Sequence, residues 1–183
     1  MASLKAIIES LLFVSDEPIT IRQLTEALGD AAKSRDAIST ALLQLEAEYN
    51  EGRGVMLKEV AGGYQIRTRP EFREWIGRLK QTSPQKLSRA ALEALAIIAY
   101  KQPVLKTDVE HLRGVDSGGI FKILLERDLI RILGRKDLPG RPMLYGTTKR
   151  FLEVFGLKDL TCLPTLEEME QLEESWPSGS KSS

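Results

Sequence analysis

Cysteine and histidine are nearly absent from this chain of 183 residues, which carries only Cys162 and His111. A single cysteine excludes a disulfide within the chain, and the two residues cannot supply the ligand sets of structural zinc. Apolar runs are also short, and none approaches the roughly 20 residues that a membrane span needs. The amino terminus has no basic region followed by an apolar core and a cleavage site, so we expect a cytoplasmic protein with no membrane contact.

The net charge is zero, because 26 Lys and Arg residues balance 26 Asp and Glu residues. The balance is uneven along the chain. Residues 81–160 carry 14 basic and 9 acidic side chains, whereas residues 161–183 carry 1 and 5. Such a mild excess permits contact with nucleic-acid phosphates but is weaker than the cationic face of proteins that mainly grip them.

What the first 50 residues do contain is apolar residues at helical spacing. They predict a first helix that ends near Val14 and a second that begins at the capping-box pair Thr20 and Gln23. A third helix follows a cap at Ser34.

The spacing then changes from a helical to a strand-like period. Residues 55–68 predict a β-hairpin whose tight turn is formed by Gly62 and Gly63. Pro70 is expected to begin a fourth helix. Its apolar residues are expected on a buried face: Phe72, Trp75, Ile76 and Leu79.

After the polar segment 80–86 the same order of elements restarts. Ser88 caps a helix that Pro103 ends, and Thr107 with Glu110 forms a second capping-box pattern. A third helix over residues 117–127 precedes a second hairpin. A closing helix is predicted over residues 148–155, with Gly156 after it.

The two halves are similar in sequence, since ESLLFVSDEPIT from Glu9 aligns with EALAIIAYKQPV from Glu93 at an offset of about 85 residues. Helix, helix, helix and hairpin is the order of a winged-helix domain. We therefore predict a mainly α protein with small β-hairpins (α+β) and two tandem winged-helix domains. The predicted boundaries are 1–80, a linker over 81–87, 88–160, and an acidic, flexible tail over 161–183. A single domain in which short helices recur is the alternative.

The second hairpin carries the candidate binding site, within LGRKDLPGRPMLYGTT at residues 133–148. Its prolines fix φ and its glycine permits a tight turn, so we expect a stiff, outward-facing cationic loop. The candidate partner-binding residues are Arg135, Lys136, Pro139, Gly140, Arg141, Pro142 and Tyr145. The loop is suited to DNA backbone or to an acidic or extended protein segment, and a purely solvated loop is the third interpretation. The third helices offer few Arg, Asn or Gln for base edges, which favours a protein partner.

Candidate catalytic, metal and cofactor sites do not emerge from the sequence. His111 is expected at a surface, and Cys162 has no basic neighbour to activate its thiol. Gly118 and Gly119 lack the lysine of a phosphate-binding loop. The carboxylates of the tail are expected to form a solvated face: Glu167, Glu168, Glu170, Glu173 and Glu174.

Particular motifs carry a resemblance to a known family. LLERDLI, GRKDLPGRPMLYGTT and FLEVFGLKDLTCLP in the second half, with ESLLFVSDEPIT and GGYQIRT in the first, resemble the segregation and condensation protein B family of bacterial chromosome-partition proteins. The resemblance covers nearly everything before the tail. Gly118 departs from it, because an acidic or polar residue is expected at this position.

The resemblance implies a non-enzymatic accessory subunit, with no cofactor, that acts in chromosome condensation and segregation during cell division. Such proteins form homodimers through the first winged-helix domain and bind the kleisin ScpA, which links them indirectly to the SMC ATPase at the nucleoid. Weak DNA contact stays open, and a winged-helix DNA-binding transcriptional regulator is the alternative function. Leu166, Met169 and Leu172 predict one apolar stripe in the tail, for which a docked helix and a solvated segment both stay open.

Overall fold

The computed structural model describes residues 3–32, 34–50, 52–80, 86–165 and 167–168. Three helices, a hairpin and a short helix form the first half. Their bounds are α1 (Leu4–Val14), α2 (Ile21–Leu28), α3 (Arg35–Tyr49), β1 (Val55–Val60), β2 (Gly63–Thr68) and α4 (Arg73–Lys80). Short 3₁₀ turns at Gly29–Ala32 and Pro70–Phe72 precede α3 and α4.

The second half repeats this order and adds a two-residue strand. Its elements are α5 (Arg89–Lys101), β3 (Val104–Leu105), α6 (Lys106–Arg113), α7 (Gly118–Glu126), β4 (Ile130–Arg135), β5 (Met143–Thr147) and α8 (Lys149–Phe155). A 3₁₀ turn over Leu160–Cys162 follows. The predicted class, mainly helical with small antiparallel sheets, is confirmed.

Side-chain caps begin most of the helices where the sequence predicted them. The hydroxyl of Thr20 accepts the Gln23 N–H at 3.2 Å while the Gln23 side chain caps the Thr20 N–H at 2.9 Å, which completes the capping box. Ser34, Ser88 and Thr148 accept the N–H three residues onward at 3.1 to 3.2 Å. Each cap satisfies a backbone donor that the first helical turn leaves unpaired.

The second predicted capping box, Thr107 with Glu110, is wrong. The helix α6 begins at Lys106, and its cap residue is Leu105, which has no side-chain cap bond. Leu105 belongs to β3, so the chain passes from the strand into the helix without the intervening turn that a Thr107 cap requires. Thr107 therefore lies inside the first turn.

The first sheet is the antiparallel pair β1 and β2, with Val60 opposite Gly63. Its turn is formed by Ala61 and Gly62, with φ of 51° and 75°, so the predicted Gly62–Gly63 turn was wrong by one residue. Gly63 has a different role. Its neighbour Tyr64 pairs with Ile19 through two backbone bonds, and a Cβ on Gly63 would lie 2.8 Å from the Ile19 carbonyl carbon.

The second sheet has three strands in the order β3, β5, β4, all antiparallel. β3 was not predicted from the sequence. It pairs Val104 with Tyr145, and so occupies the place that Ile19 takes beside Tyr64 in the first sheet. An irregularity between Ile132 and Gly134 leaves Leu133 unpaired, as in a β-bulge.

Two separate clusters of buried side chains form the core. The first joins α1, α2 and α3 to β1, with Ile8, Leu24 and Ile38 fully buried. The second joins α5, α6, α7 and α8 to β3 and β4, and Leu124 and Val109 are fully buried within it. Each half thus buries its own apolar face.

The helix α4 does not bury the face that its sequence predicted. Trp75 is 59% exposed and Leu79 is 84% exposed, and no residue of α4 is buried. The other elements of the first half already close its core. Phe72 and Trp75 contact each other instead, with ring centroids 6.2 Å apart. The predicted burial of this face is therefore wrong for the single chain.

The first hairpin contacts the end of the second half. The N–H groups of Ala61 and Gly62 donate to the carbonyls of Leu157 and Lys158 at 2.8 and 2.9 Å. The Arg67 guanidinium donates to a third carbonyl, on Glu153, at 2.8 Å. The halves are therefore joined through carbonyl groups of the segment that ends and follows α8, and through an ion pair between Lys158 and Glu59 at 3.0 Å.

Candidate functional site

The loop between β4 and β5 is stiffened by its own backbone. The Lys136 N–H donates to the Pro142 carbonyl at 2.9 Å, which closes the base of the loop. The Arg141 N–H donates to the Leu138 carbonyl at 2.8 Å across the tip. Gly140 and Arg141 both have positive φ, 81° and 42°. With a third bond, from the Leu138 N–H to the Lys136 carbonyl at 3.0 Å, and two prolines, the loop is restrained by its own backbone.

The candidate residues of this loop lie together on the surface. Arg135, Lys136, Pro139, Gly140 and Arg141 are exposed, and Pro142 is half-buried. The Arg135 guanidinium also donates to the Arg141 carbonyl at 3.2 Å, so one cation braces the loop that presents the others. The loop therefore presents positive charge on a rigid support.

Tyr145, the last candidate residue, is placed differently. It is half-buried in β5, and its ring meets Phe121 of α7 edge to face, with centroids 4.8 Å apart. Its hydroxyl lies 3.7 Å from the Met143 sulfur. The ring of Tyr145 therefore fastens the hairpin to the core, and its hydroxyl is the part nearest the surface.

A contact that local sequence patterns do not reveal holds the hairpin at its base. The Gln102 side-chain oxygen accepts the Thr147 N–H at 2.7 Å, and its amide donates to the Thr147 hydroxyl at 3.0 Å. The same amide nitrogen lies 3.1 Å from the Ala99 carbonyl. The Gln102 side chain thus extends the hydrogen bonding between β3 and β5 by one residue. These bonds fix the direction in which the loop projects.

A polar cluster at the beginning of α7 was also missed. Ser117 is 1% exposed, its N–H donates to Glu110 at 2.9 Å, and its hydroxyl accepts from Arg113 at 2.6 Å. The Gly118 N–H donates to Asp116, and this hydrogen bond is the main cause that lowers the pKa of the Asp116 carboxyl. Carboxylates from the preceding helix and loop therefore cap α7, where Ser117 itself provides no cap.

The remaining chemical candidates lie apart from one another. His111 is exposed on α6, and Cys162 is an exposed free thiol. Glu167 and Glu168 are exposed, while Glu170, Glu173 and Glu174 fall outside the described residues. Among the residues that the structure describes, no group of three His, Cys, Asp or Glu side chains has the geometry of a metal site. In the same residues no helix is both long and apolar enough to cross a membrane.

Residues 6–166 match the family model described as "Segregation and condensation complex subunit ScpB". This match places the chain in the class of segregation and condensation complex subunits. A protein from Syntrophotalea carbinolica named "Segregation and condensation protein B" is 56% identical over 170 residues, which are 92% of this chain and 85% of that protein. The chain belongs to the ScpB family.

Solved structures include sequence relatives of the same name. The crystal structure of ScpB from Mycobacterium tuberculosis is 33% identical over 84% of this chain and 95% of its own, with a TM-score of 0.40. A crystal structure titled as a dimer of the ScpB N-terminal domain complexed with ScpA peptide is 26% identical over 45% of this chain and 98% of its own, also with a TM-score of 0.40. The family assignment rests on the sequence matches.

Proposed function

We propose that this protein is a non-enzymatic ScpB subunit that acts as a homodimer, binds the kleisin ScpA and is linked through it to the SMC ATPase. Its site of action is the cytoplasm, at the nucleoid. The observation that carries this proposal is the family match over residues 6–166. Both halves are proposed to be winged-helix domains, 1–80 and 88–160, joined by a linker over 81–87. The repeated element order and the two separate cores support this division.

Exposed apolar side chains of the first half support the homodimer. Large exposed apolar groups that cluster on a surface are typical of protein contacts. The candidates that a second copy would cover are two pairs of neighbours, Phe13 with Val14 on α1 and Trp75 with Leu79 one turn apart on α4, together with Leu43 on α3, all at least 59% exposed. We therefore place the dimer contact on the first domain, with α4 as part of it.

The cationic loop of the second half is the proposed contact for the kleisin. Binding a loop that is already ordered costs little conformational entropy, and its cations suit an acidic or extended protein segment. The seven residues are those selected from the sequence: Arg135, Lys136, Pro139, Gly140, Arg141, Pro142 and Tyr145. Tyr145 contributes through its hydroxyl edge, since its ring packs on Phe121.

Co-purification with the cognate kleisin tests the proposal. The full chain is expected to form a stable complex, and the double variant Arg135→Ala, Arg141→Ala is expected to weaken it at least about tenfold. The matched control is Arg89→Ala, Lys122→Ala, which removes two cations that are 96% and 77% exposed elsewhere on the same half. No association at micromolar concentration would contradict kleisin binding, and equal weakening by the control would contradict the loop assignment.

Direct DNA binding is the second candidate, and the exposed cations of the loop favour it. Each phosphate contact releases counterions, so DNA affinity would fall steeply with salt and would fall again in the Arg135→Ala, Arg141→Ala variant. Fluorescence anisotropy with a short duplex at two salt concentrations measures both effects. An undetectable or salt-insensitive affinity excludes this function and leaves the kleisin proposal untouched.

A further inference from the structure

An open apolar groove lies on the second half between α5 and α8. Its volume is about 590 Å³, and its apolar lining is Leu87, Leu92, Leu129, Val154 and Phe155. Three basic residues complete the lining: Lys86, Arg127 and Arg150. Leu92, Val154 and Phe155 are 45%, 53% and 44% exposed, which is unusual for neighbouring large apolar side chains on one surface. The groove is therefore shaped and charged for an occupant with apolar side chains and negative charge.

The chain itself returns to this side of the second half before its acidic tail begins. The Tyr100 hydroxyl, near the end of α5, donates to the Pro164 carbonyl at 2.6 Å. Leu163 packs against the second core. The backbone at Pro164 is thus held against α5, and whatever follows must leave from that point.

The described residues that follow this anchor show the start of a helical turn. The Thr165 hydroxyl accepts the Glu168 N–H at 3.2 Å, while the Glu168 carboxylate accepts the Thr165 N–H at 2.7 Å. This reciprocal pair is a capping box, which marks a helix amino terminus. Glu167 and Glu168 are helical. The tail therefore leaves the anchor with its first turn already started.

The path from the anchor to the groove matches the length of the acidic segment. Tyr100, Ala96 and Leu92 are exposed at i, i+4 spacing and so form one stripe along α5, about 12 Å long at 1.5 Å per residue. Residues 166–174 span about 13 Å as a helix. A helix that ran back along this stripe would carry its last turn over Leu92 and into the groove.

The composition of the segment complements the groove. Leu166, Met169 and Leu172 recur every three residues and so predict one apolar face. Glutamates flank these three residues, and Glu173 and Glu174 fall in the last turn, which is the part that reaches the three basic residues lining the groove. We propose that residues 166–174 bind along α5 and into this groove of their own chain, with the apolar stripe inward and Glu173 and Glu174 of the last turn toward Lys86, Arg127 and Arg150.

Hydrogen exchange of the full chain tests the proposal. Amides of residues 167–174 are expected to exchange at least about tenfold more slowly than those of a free peptide of the same sequence. Val154→Asp places a charge in the groove and should remove that protection. The matched control is Val115→Asp, because Val115 is 55% exposed on the same half but outside the groove. Leu172→Asp places a charge on the tail side of the same contact. It should remove the protection of the tail amides as Val154→Asp does.

Each outcome decides the assignment. Unchanged slow exchange at the buried positions Leu95 and Ile98 verifies that the variants are folded, so that lost tail protection reports the groove alone. Tail amides that exchange at the free-peptide rate in the unaltered chain would overturn the proposal and leave the groove to a partner such as the kleisin. Protection that disappears on dilution would overturn it in favour of a contact between two copies.

Discussion

The close approach of Gly63 to the backbone at Ile19 provides the sharpest test of the fold. In a Gly63→Ala variant the new Cβ would lie 2.8 and 2.9 Å from the Ile19 carbonyl carbon and oxygen, and 3.0 Å from the Pro18 carbonyl carbon. All three are backbone atoms, so a side-chain rotation cannot relieve the clash. The segment at residues 18–19 must move, and the bridge between Ile19 and Tyr64 must open.

The cost follows from the bonds that are lost. The bridge consists of two backbone hydrogen bonds of 2.9 and 2.8 Å between Ile19 and Tyr64, each worth about 0.5 to 1.5 kcal/mol. Alanine offsets about 0.4 to 1 kcal/mol of this loss, because it restricts the unfolded chain more than glycine does. We therefore expect Gly63→Ala to lower the free energy of unfolding by about 1 kcal/mol at the centre of the range, and by up to about 2.6 kcal/mol.

Urea denaturation followed by circular dichroism measures the effect. The matched control is Gly134→Ala, in a strand of the second hairpin, where a Cβ meets nothing within 4 Å. That variant is expected to be unchanged or more stable by up to about 1 kcal/mol. If the two variants unfolded at the same urea concentration, the close packing of Gly63 on Ile19 would be refuted.

Four further substitutions test the core, the helix caps and the loop. Leu124→Ala should lower the free energy of unfolding by about 2 to 5 kcal/mol, since Leu124 is fully buried in the second core. Thr20→Ala should cost about 0.5 to 2 kcal/mol by removing a capping box, whereas Thr107→Ala should stay within about 0.5 kcal/mol; equal losses would contradict the helix starts given above. Arg141→Ala should change the free energy of unfolding by less than about 0.5 kcal/mol while weakening binding of the partner. Unfolding of the second half in this variant would contradict the surface position of Arg141. Chemical denaturation measures the stability of all four variants, and co-purification with the kleisin measures the binding of Arg141→Ala.

Local signals in the sequence predicted most of the helices and both hairpins. Caps at Thr20, Ser34, Ser88 and Thr148 depend only on residues within one turn, so a pattern that spans four residues contains the information. The loop between β4 and β5 was found for the same reason, because its prolines and glycine act on their own backbone.

Features that depend on distant residues could not be read from such patterns. The apolar spacing in the sequence shows that α4 has one apolar face. It does not show that the core of the first half is already formed by other elements. The two adjacent glycines predicted a turn at Gly62 and Gly63. The pairing of Val60 with Gly63 and of Tyr64 with Ile19 instead places the turn at Ala61 and Gly62. The bonds from Gln102 to Thr147 join residues 45 positions apart.

The contact of the first hairpin with the segment after α8 has a consequence for sequence change. Ala61 and Gly62 donate main-chain N–H groups to the main-chain carbonyls of Leu157 and Lys158. A substitution at any of these four positions alters a side chain but removes neither donor nor acceptor, proline at 61 or 62 excepted. These two main-chain bonds therefore persist through most substitutions, whereas the bond from Arg67 to Glu153 and the ion pair between Lys158 and Glu59 at 3.0 Å depend on the side chains present.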